Sequence, residues 1–251
     1  MHIESNVLVV GDVEILQRDG PVVVSPIQKT SLSESVVDYI KQQTIAGYLN
    51  PGERIVETKI AEVLGISQTP VREALRQLSG EGIVALLPNR GAIIRPLEVS
   101  DVFEIYSIRA VLEGMAMRFA CQGASHAEVQ RLQVFFERMI QKVKDPGFSA
   151  ADLVRDSAQI HQYIVDLARH SRLETMYSSL AFQIGMVNRV LGSKSTKQLE
   201  VDRHRELVDA MTGRDPNLAE RVMRQHIYRS YTEYLEVAQG TRATYRDYTW
   251  C

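Results

Sequence analysis

The spacing of hydrophobic residues divides the chain into two regions. In residues 32–78 the apolar positions recur every three or four residues in three short runs, which predicts three short helices. Two β-type runs follow at 83–87 and 92–95, and the Pro-Asn-Arg-Gly segment between them predicts a hairpin tip. From residue 97 to residue 239 the helical spacing returns. The pattern therefore predicts a mainly α fold, with a small helical domain that carries a hairpin and a larger all-helical domain.

Glycine, proline and aspartate interrupt the long helical region and predict about six helices in it. The predicted helices cover residues 100–122, 125–144, 149–169, 171–190, 196–213 and 215–239. Residues 1–28 contain two valine-rich runs, which are compatible with short strands or with a loosely ordered arm. The predicted domains are an N-terminal extension (1–28), the small domain (29–96), the helical domain (97–239) and a polar, aromatic tail (240–251).

The third short helix has one apolar face and one polar face. Val71, Ala74, Leu75 and Leu78 define its buried side. Thr69 is a suitable N-cap, and Pro70 suits the first helical position, where no amide donor is needed. Three short helices with a glycine turn at Gly65, followed by a hairpin, form a winged helix-turn-helix, whose third helix enters the major groove of DNA.

Seven residues are predicted to contact DNA. They are Gln68, Thr69, Arg72 and Arg76 on the third helix and Asn89, Arg90 and Gly91 at the hairpin tip. Arg72 suits guanine, Gln68 suits adenine, and Arg90 suits a minor groove or a phosphate. A solvated helix face is the alternative, but the ordered set of helix, turn, helix and arginine-tipped wing favours DNA binding.

Composition and charge narrow the class of protein. Hydrophobic residues make up 45 % and charged residues 24 % of the chain, as in globular proteins. The net charge is −2, so charge alone does not establish DNA binding; the position of the arginines has to carry that argument. Only Cys121 and Cys251 occur, and no apolar run approaches the roughly 20 residues of a membrane span. We therefore expect a cytoplasmic protein.

Three histidines lie on the apolar sides of three different predicted helices: His161, His204 and His226. A single inward histidine is usually a hydrogen-bonded core residue, whereas three that converge could hold a divalent metal. Arg109 also lies near the buried side of its helix, four residues before Glu113. Arg109 is suited either to clamp a carboxylate ligand or to form an internal salt bridge with Glu113.

The small domain resembles the GntR family of bacterial regulators. The resemblance is carried by residues 51–57 (Pro-Gly-Glu-Arg-Ile-Val-Glu), 64–75, 81–84 and 88–92. It implies a winged helix-turn-helix that binds an operator. Gln68 departs from the family, which usually has arginine there, and we expect an altered base preference.

Residues 98–238 resemble the FCD-type ligand-binding domain of the FadR-like branch of this family, through residues 105–113, 160–161, 203–210 and 223–226. The resemblance implies a metal held by one aspartate and three histidines, with small organic acids bound beside it. His161, His204 and His226 match the histidines, but Ser157 stands in the place of the aspartate. Asp156 lies five residues before His161, about 140° around the helix, and is predicted to point away. We expect a three-histidine site for zinc or nickel that water and ligand complete, or one that binds metal weakly.

Taken together, these features predict a dimeric transcription regulator rather than an enzyme. We expect a repressor that leaves a near-palindromic operator when a small organic acid binds at Arg109, Ser157, His161 and Asn188. A direct metal sensor is an alternative, and so is an activator, because the sign of regulation depends on where the operator lies. A metalloenzyme is disfavoured, because no general base accompanies the histidines.

Overall fold

A computed structural model describes most of the 251-residue chain. The described residues are 7–10, 13–16, 23–24, 31–88, 91–192 and 196–239. They form two compact units. The smaller contains the described residues up to Ile40 together with Ile55–Ala92, and the larger contains Lys41–Arg54 together with the described residues from Ile93 onward.

The N-terminal extension contains three antiparallel strands, in the order β1-β2-β3. They are β1 (Val7–Val10), β2 (Val13–Leu16) and β3 (Val23–Val24). Of the two interpretations that the sequence allowed for this segment, short strands agree with this arrangement.

The predicted winged helix-turn-helix is confirmed. Its elements are α1 (Leu32–Ile45), β4 (Arg54–Ile55), α2 (Glu57–Leu64), α3 (Gln68–Gly80), β5 (Val84–Leu87) and β6 (Gly91–Ile94). The strands form one sheet in the order β4-β6-β5. Val71, Ala74, Leu75 and Leu78 are buried on α3 as predicted.

The turn between α2 and α3 is made by Gly65, whose φ of 66° lies in the left-handed region that glycine tolerates best. The predicted N-cap of α3 is wrong. Ser67 occupies the cap position, without a side-chain cap hydrogen bond, and Thr69 lies inside the first turn. Pro70 is therefore the third helical residue rather than the first. It is tolerated there because the first four amides of a helix have no partner within the helix.

Six helices follow in the described part of the larger unit. They are α4 (Val99–Gly123), α5 (His126–Val143), α6 (Ala150–Leu167), α7 (Ser171–Gly192), α8 (Lys197–Gly213) and α9 (Pro216–Gln239). Their ends lie within two residues of the predicted ones. Ser125 with Glu128, and Ser149 with Asp152, form capping boxes that fix where α5 and α6 begin.

Helix α4 lies at the centre of the larger unit and packs against α6, α7 and α9. The contact with α9 is tight at Gly114, where an added Cβ would lie 2.9 Å from Cγ of Arg224. Because α4 contacts several neighbours, it can present polar side chains to more than one helix. None of the helices among the described residues combines the length and the apolar character that crossing a membrane requires.

Candidate functional site

The three predicted histidines meet inside the helical unit. His161 on α6, His204 on α8 and His226 on α9 are each 3 % exposed, and their ring centroids lie 4.9 to 5.3 Å apart. One nitrogen from each ring lies within 4.8 Å of the others, an arrangement that could hold a metal ion. The burial of each ring follows from local sequence, because each histidine lies on the apolar stripe that turns its helix towards the core. Their convergence depends on how the three helices pack.

The outer nitrogens of two rings are held by hydrogen bonds. Nδ1 of His161 contacts Oε2 of Glu113, and Nδ1 of His204 lies 2.8 Å from the carbonyl oxygen of Glu200. Nε2 of His161 and Nε2 of His204 face each other at 3.3 Å. When Nδ1 carries the proton in these bonds, the Nε2 lone pairs point into the shared space, the pattern that metal-binding histidines show in proteins.

Burial keeps two of the imidazoles neutral. Burial, followed by the neighbouring His161, lowers the pKa of His204 to about 3. Burial and the two other histidines hold the pKa of His226 well below its ordinary value. Nδ1 of His226 is buried without a hydrogen-bond partner among the described residues. Neutral imidazoles with unshared lone pairs are the form that binds a metal, so the residues present fit one.

A buried ion pair lies next to the histidines. Nε of Arg109 donates to Oε1 of Glu113 at 2.5 Å, and their side chains are 4 % and 0 % exposed. Burial would raise the pKa of Glu113, but Arg109 and His161 outweigh it and lower that pKa to about 2. The guanidinium of Arg109 also lies 5.1 Å from the ring centre of Tyr106. The internal salt bridge that the sequence allowed for Arg109 is therefore formed.

A cavity of about 30 Å³ adjoins the three rings. Besides the histidines, its polar lining comes from Arg109, Ser157, Asn188, Glu200, Arg203 and Ser230. All four residues predicted to bind an effector thus border the same space, and Arg109 does so while paired with Glu113. Sequence reasoning missed the lining by Glu200, Arg203 and Ser230.

No protein carboxylate joins the three imidazoles as a donor among the described residues. Ser157 is 5 % exposed, and its hydroxyl donates to the carbonyl oxygen of Val154 at 2.8 Å. Asp156 forms an ion pair with Lys142 on the neighbouring helix α5, so the prediction that it points away from the histidines is confirmed. The carboxylate of Glu200 approaches Nδ1 of His204, at 4.0 Å, rather than the shared Nε2 side.

Sequence reasoning also missed the role of Glu113 in orienting a histidine. Its spacing to Arg109 suggested a salt bridge, but its contact with His161 crosses from α4 to α6 over 48 residues. A buried carboxylate four residues from a buried arginine was the available signal. The helix packing that brings it to the imidazole cannot be read from periodicity.

The polar face predicted for α3 is present. Thr69, Arg72 and Arg76 are exposed, and Gln68 is half-buried. Arg72 donates to Glu57 at 2.7 Å and to Gln68 at 3.0 Å.

At the wing, Gly91 begins strand β6 with a φ of 84°. The left-handed conformation explains a glycine at the end of the hairpin. The predictions for Asn89 and Arg90 lie outside the described residues.

Two family models match the chain in succession. The model described as "Bacterial regulatory proteins, gntR family" matches residues 32–94, and the FCD domain model matches residues 104–229. The first covers the winged helix-turn-helix, and the second contains all three histidines.

Curated relatives agree with these matches. The Nta operon transcriptional regulator of Aminobacter aminovorans is 28 % identical over 196 residues, which are 78 % of this chain and 91 % of that protein. The "Probable D-xylose utilization operon transcriptional repressor" of Paenarthrobacter nicotinovorans is 31 % identical over 205 residues, which are 80 % of this chain and 88 % of that protein.

Solved structures share the fold. Escherichia coli McbR/YncC superposes with a TM-score of 0.67 at 24 % identity, covering 82 % of this chain and 99 % of that one. A GntR regulator from Rhodococcus sp. RHA1 gives a TM-score of 0.68 at 21 % identity, covering 86 % and 100 %. The two family matches and these relatives show that the chain belongs to the GntR family of bacterial transcription regulators, not enzymes, and that its C-terminal helices form an FCD domain.

Proposed function

We propose that this regulator is a homodimeric repressor whose affinity for its operator changes when a divalent metal and a small organic acid occupy the histidine cavity. The observation that carries the proposal is the convergence of His161, His204 and His226 on one cavity in the FCD domain. A ligand can shift the protein between two states only by its difference in affinity for them. The proposal therefore requires that the cavity differ between the DNA-binding and the released state. An operator partner also places the protein in the cytoplasm.

Operator reading is assigned to α3 and the wing. Arg72 and Arg76 lie one helical turn apart on the exposed face of α3, where guanine or phosphate can be reached. The pair between Arg72 and Glu57 is solvent-exposed, with the arginine side chain 56 % accessible. Exposed pairs contribute about 0–1 kcal/mol, so Arg72 can exchange Glu57 for a base edge at little cost. Gln68, Thr69, Asn89, Arg90 and Gly91 complete the proposed contacts.

The metal is assigned to the three imidazoles. Zinc or nickel fits three nitrogen donors, and either would act there as a Lewis acid that binds anionic oxygen. Glu113 and the carbonyl oxygen of Glu200 orient two of the rings. Since no carboxylate of the described residues joins the donor set, a bound ion would keep its positive charge and favour an anionic ligand.

The effector is assigned to the chemical class of small organic acids. Arg109, Arg203 and Asn188 border the cavity and suit carboxylate oxygens. The cavity of about 30 Å³ is partly open, so an acid held at the histidines can extend towards its open side. An acid that displaces lining side chains as it binds would provide the difference between states that regulation requires.

The dimer is assigned to an exposed apolar stripe on α4. Ile108, Val111 and Met115 recur at helical spacing and are 48 %, 47 % and 42 % exposed, although the rest of α4 is largely buried. A second copy would cover this stripe and present two winged domains to the two halves of a near-palindromic operator.

A direct metal sensor is the second candidate. It is favoured by the lack of a carboxylate among the described donors, because a weaker site changes its occupancy over a physiological range of metal concentration. In that case metal alone changes operator affinity, and an organic acid adds nothing.

The experiment is selection of genomic fragments by the purified protein, followed by anisotropy titration of the recovered operator. Arg72→Ala should weaken operator binding about 5-fold or more, because a base contact of this kind contributes roughly 1–3 kcal/mol. Arg138→Ala, which removes an exposed arginine on α5, is the matched control and should leave the affinity unchanged. Failure to recover any specific fragment, or equal affinity for the two variants, would contradict the assignment of α3.

A further inference from the structure

One face of helix α7 borders the cavity, and the adjacent face borders the C-terminal end of α1. Asn188 and Leu191 line the cavity. Gly185 and Arg189, four residues apart, instead approach residues 44–50, which belong to the same larger unit as α7. Successive residues on a helix lie about 100° apart, so a small rotation or shift of α7 moves both faces together.

Arg189, which lies on α7, caps the C-terminal end of α1. Its Nη1 donates to the carbonyl oxygen of Thr44 at 2.8 Å, and its Nη2 donates to Oδ1 of Asn50 at 2.6 Å. The last turn of α1 contains no basic residue of its own. Arg189 therefore provides both a hydrogen-bond donor for a terminal carbonyl and the positive charge that a helix C-terminus favours.

Two glycines lie at this contact. Gly47, two residues after the end of α1, has a φ of 87°, which glycine tolerates best, and a Cβ there would lie at an ordinary 3.6 Å from Cζ of Arg189. A Cβ on Gly185 would lie 2.9 Å from Cδ1 of Ile45. The end of α1 is thus held against α7 by packing as well as by hydrogen bonds.

We propose that Arg189 is a positioning residue that transmits occupancy of the histidine cavity to the end of α1. The proposal rests on the proposed function, because the signal is the ligand in that cavity. Asn188 accepts a hydrogen bond from the Tyr106 hydroxyl at 3.4 Å and borders the cavity. A ligand that displaces Asn188 shifts α7 at the adjacent Arg189. Because α1 is one unbroken helix whose first residues, up to Ile40, belong to the DNA-binding unit, movement of its end reaches that unit.

Hydrogen exchange of the intact protein tests this relay. The probe is the zinc-loaded protein with citrate, malate, tartrate or malonate, using the first acid that calorimetry shows to bind. In the wild type we expect the acid to speed amide exchange in residues 41–54 at least threefold, because the Arg189 contact loosens. In Arg189→Met the acid still binds, but exchange in residues 41–54 is already fast and no longer responds.

Arg169→Met is the matched control. Arg169 also donates to a carbonyl oxygen at a helix end, that of Gly123, but it lies on another part of the bundle. Its variant should keep the wild-type response. Arg189→Lys can donate a strong hydrogen bond to only one of the two acceptors, so this variant should keep part of the exchange response. If Arg189→Met does not fold, Asn50→Ala removes one acceptor and gives the same comparison.

Three outcomes would overturn the relay. Binding of the acid without any change in residues 41–54 of the wild type would refute it, and so would an equal change in Arg189→Met; both leave the proposed function intact. If no acid of the panel binds the zinc-loaded protein, the proposed effector class is wrong, and the relay is refuted with it.

Discussion

Replacing Glu113 with glutamine should lower both the free energy of unfolding and the affinity for zinc, for different reasons. The substitution keeps the shape of the side chain but removes its charge. Arg109, 4 % exposed, is then left with no counter-charge, and His161 loses its anionic partner. Because both side chains of the ion pair are almost fully buried, water cannot screen the loss.

The expected cost to folding is about 3–5 kcal/mol, the usual range when one partner of a buried ion pair is removed. The metal-free protein should show this loss in urea denaturation at a fixed protein concentration. Zinc affinity should fall about 10- to 100-fold, the usual effect of removing a group that orients a ligating histidine. Competition against a chromophoric chelator measures the zinc affinity.

Two further variants separate the two effects. Glu220→Gln is the control, because Glu220 pairs with Arg118 and Arg224 at a partly exposed position, where the loss should be about 0–1 kcal/mol. Adding Arg109→Met to Glu113→Gln removes the stranded charge and should restore most of the stability while zinc affinity stays low. A Glu113→Gln protein within 1 kcal/mol of wild type and with unchanged zinc affinity would refute the reasoning.

Two other substitutions give opposite kinds of result. Ser157→Asp places a carboxylate at a cavity-lining position, and a divalent ion favours an anionic ligand. Zinc binding should therefore tighten at least about 10-fold in calorimetry. Unchanged or weaker zinc binding would contradict the three-histidine donor set. Val111→Glu puts a charge in the apolar stripe of α4 and should give monomers in sedimentation velocity, whereas Val134→Glu, at a similarly exposed valine of α5, should leave dimers. Dimers in both variants would show that the interface lies elsewhere.

The sequence is sufficient to predict the elements and the burial of the histidines, whereas a shared metal site was implied by the family resemblance. Each histidine follows the same apolar spacing as its buried neighbours, such as Ile164 and Leu207, so the core that buries those residues also buries the rings. The glycine turn and the hairpin likewise follow from local backbone preferences.

Contacts between helices are not fixed by local spacing. Glu113 meets His161 only because α4 packs against α6, and Arg189 meets Thr44 only because α7 packs against the end of α1. The cap of α3 was mispredicted for a different reason. Thr69 and Ser67 are both good cap residues, and the structure begins α3 directly after Ser67, two residues before Pro70.

The most direct test of the account is operator affinity, measured by anisotropy for the wild type and His204→Ala with zinc and the acid panel. We expect at least one acid to lower the affinity of the zinc-loaded wild type at least 10-fold. We expect no response from the wild type without zinc, or from His204→Ala. An equal response in His204→Ala, or a full response without zinc, would contradict the claim that the histidine cavity controls DNA binding.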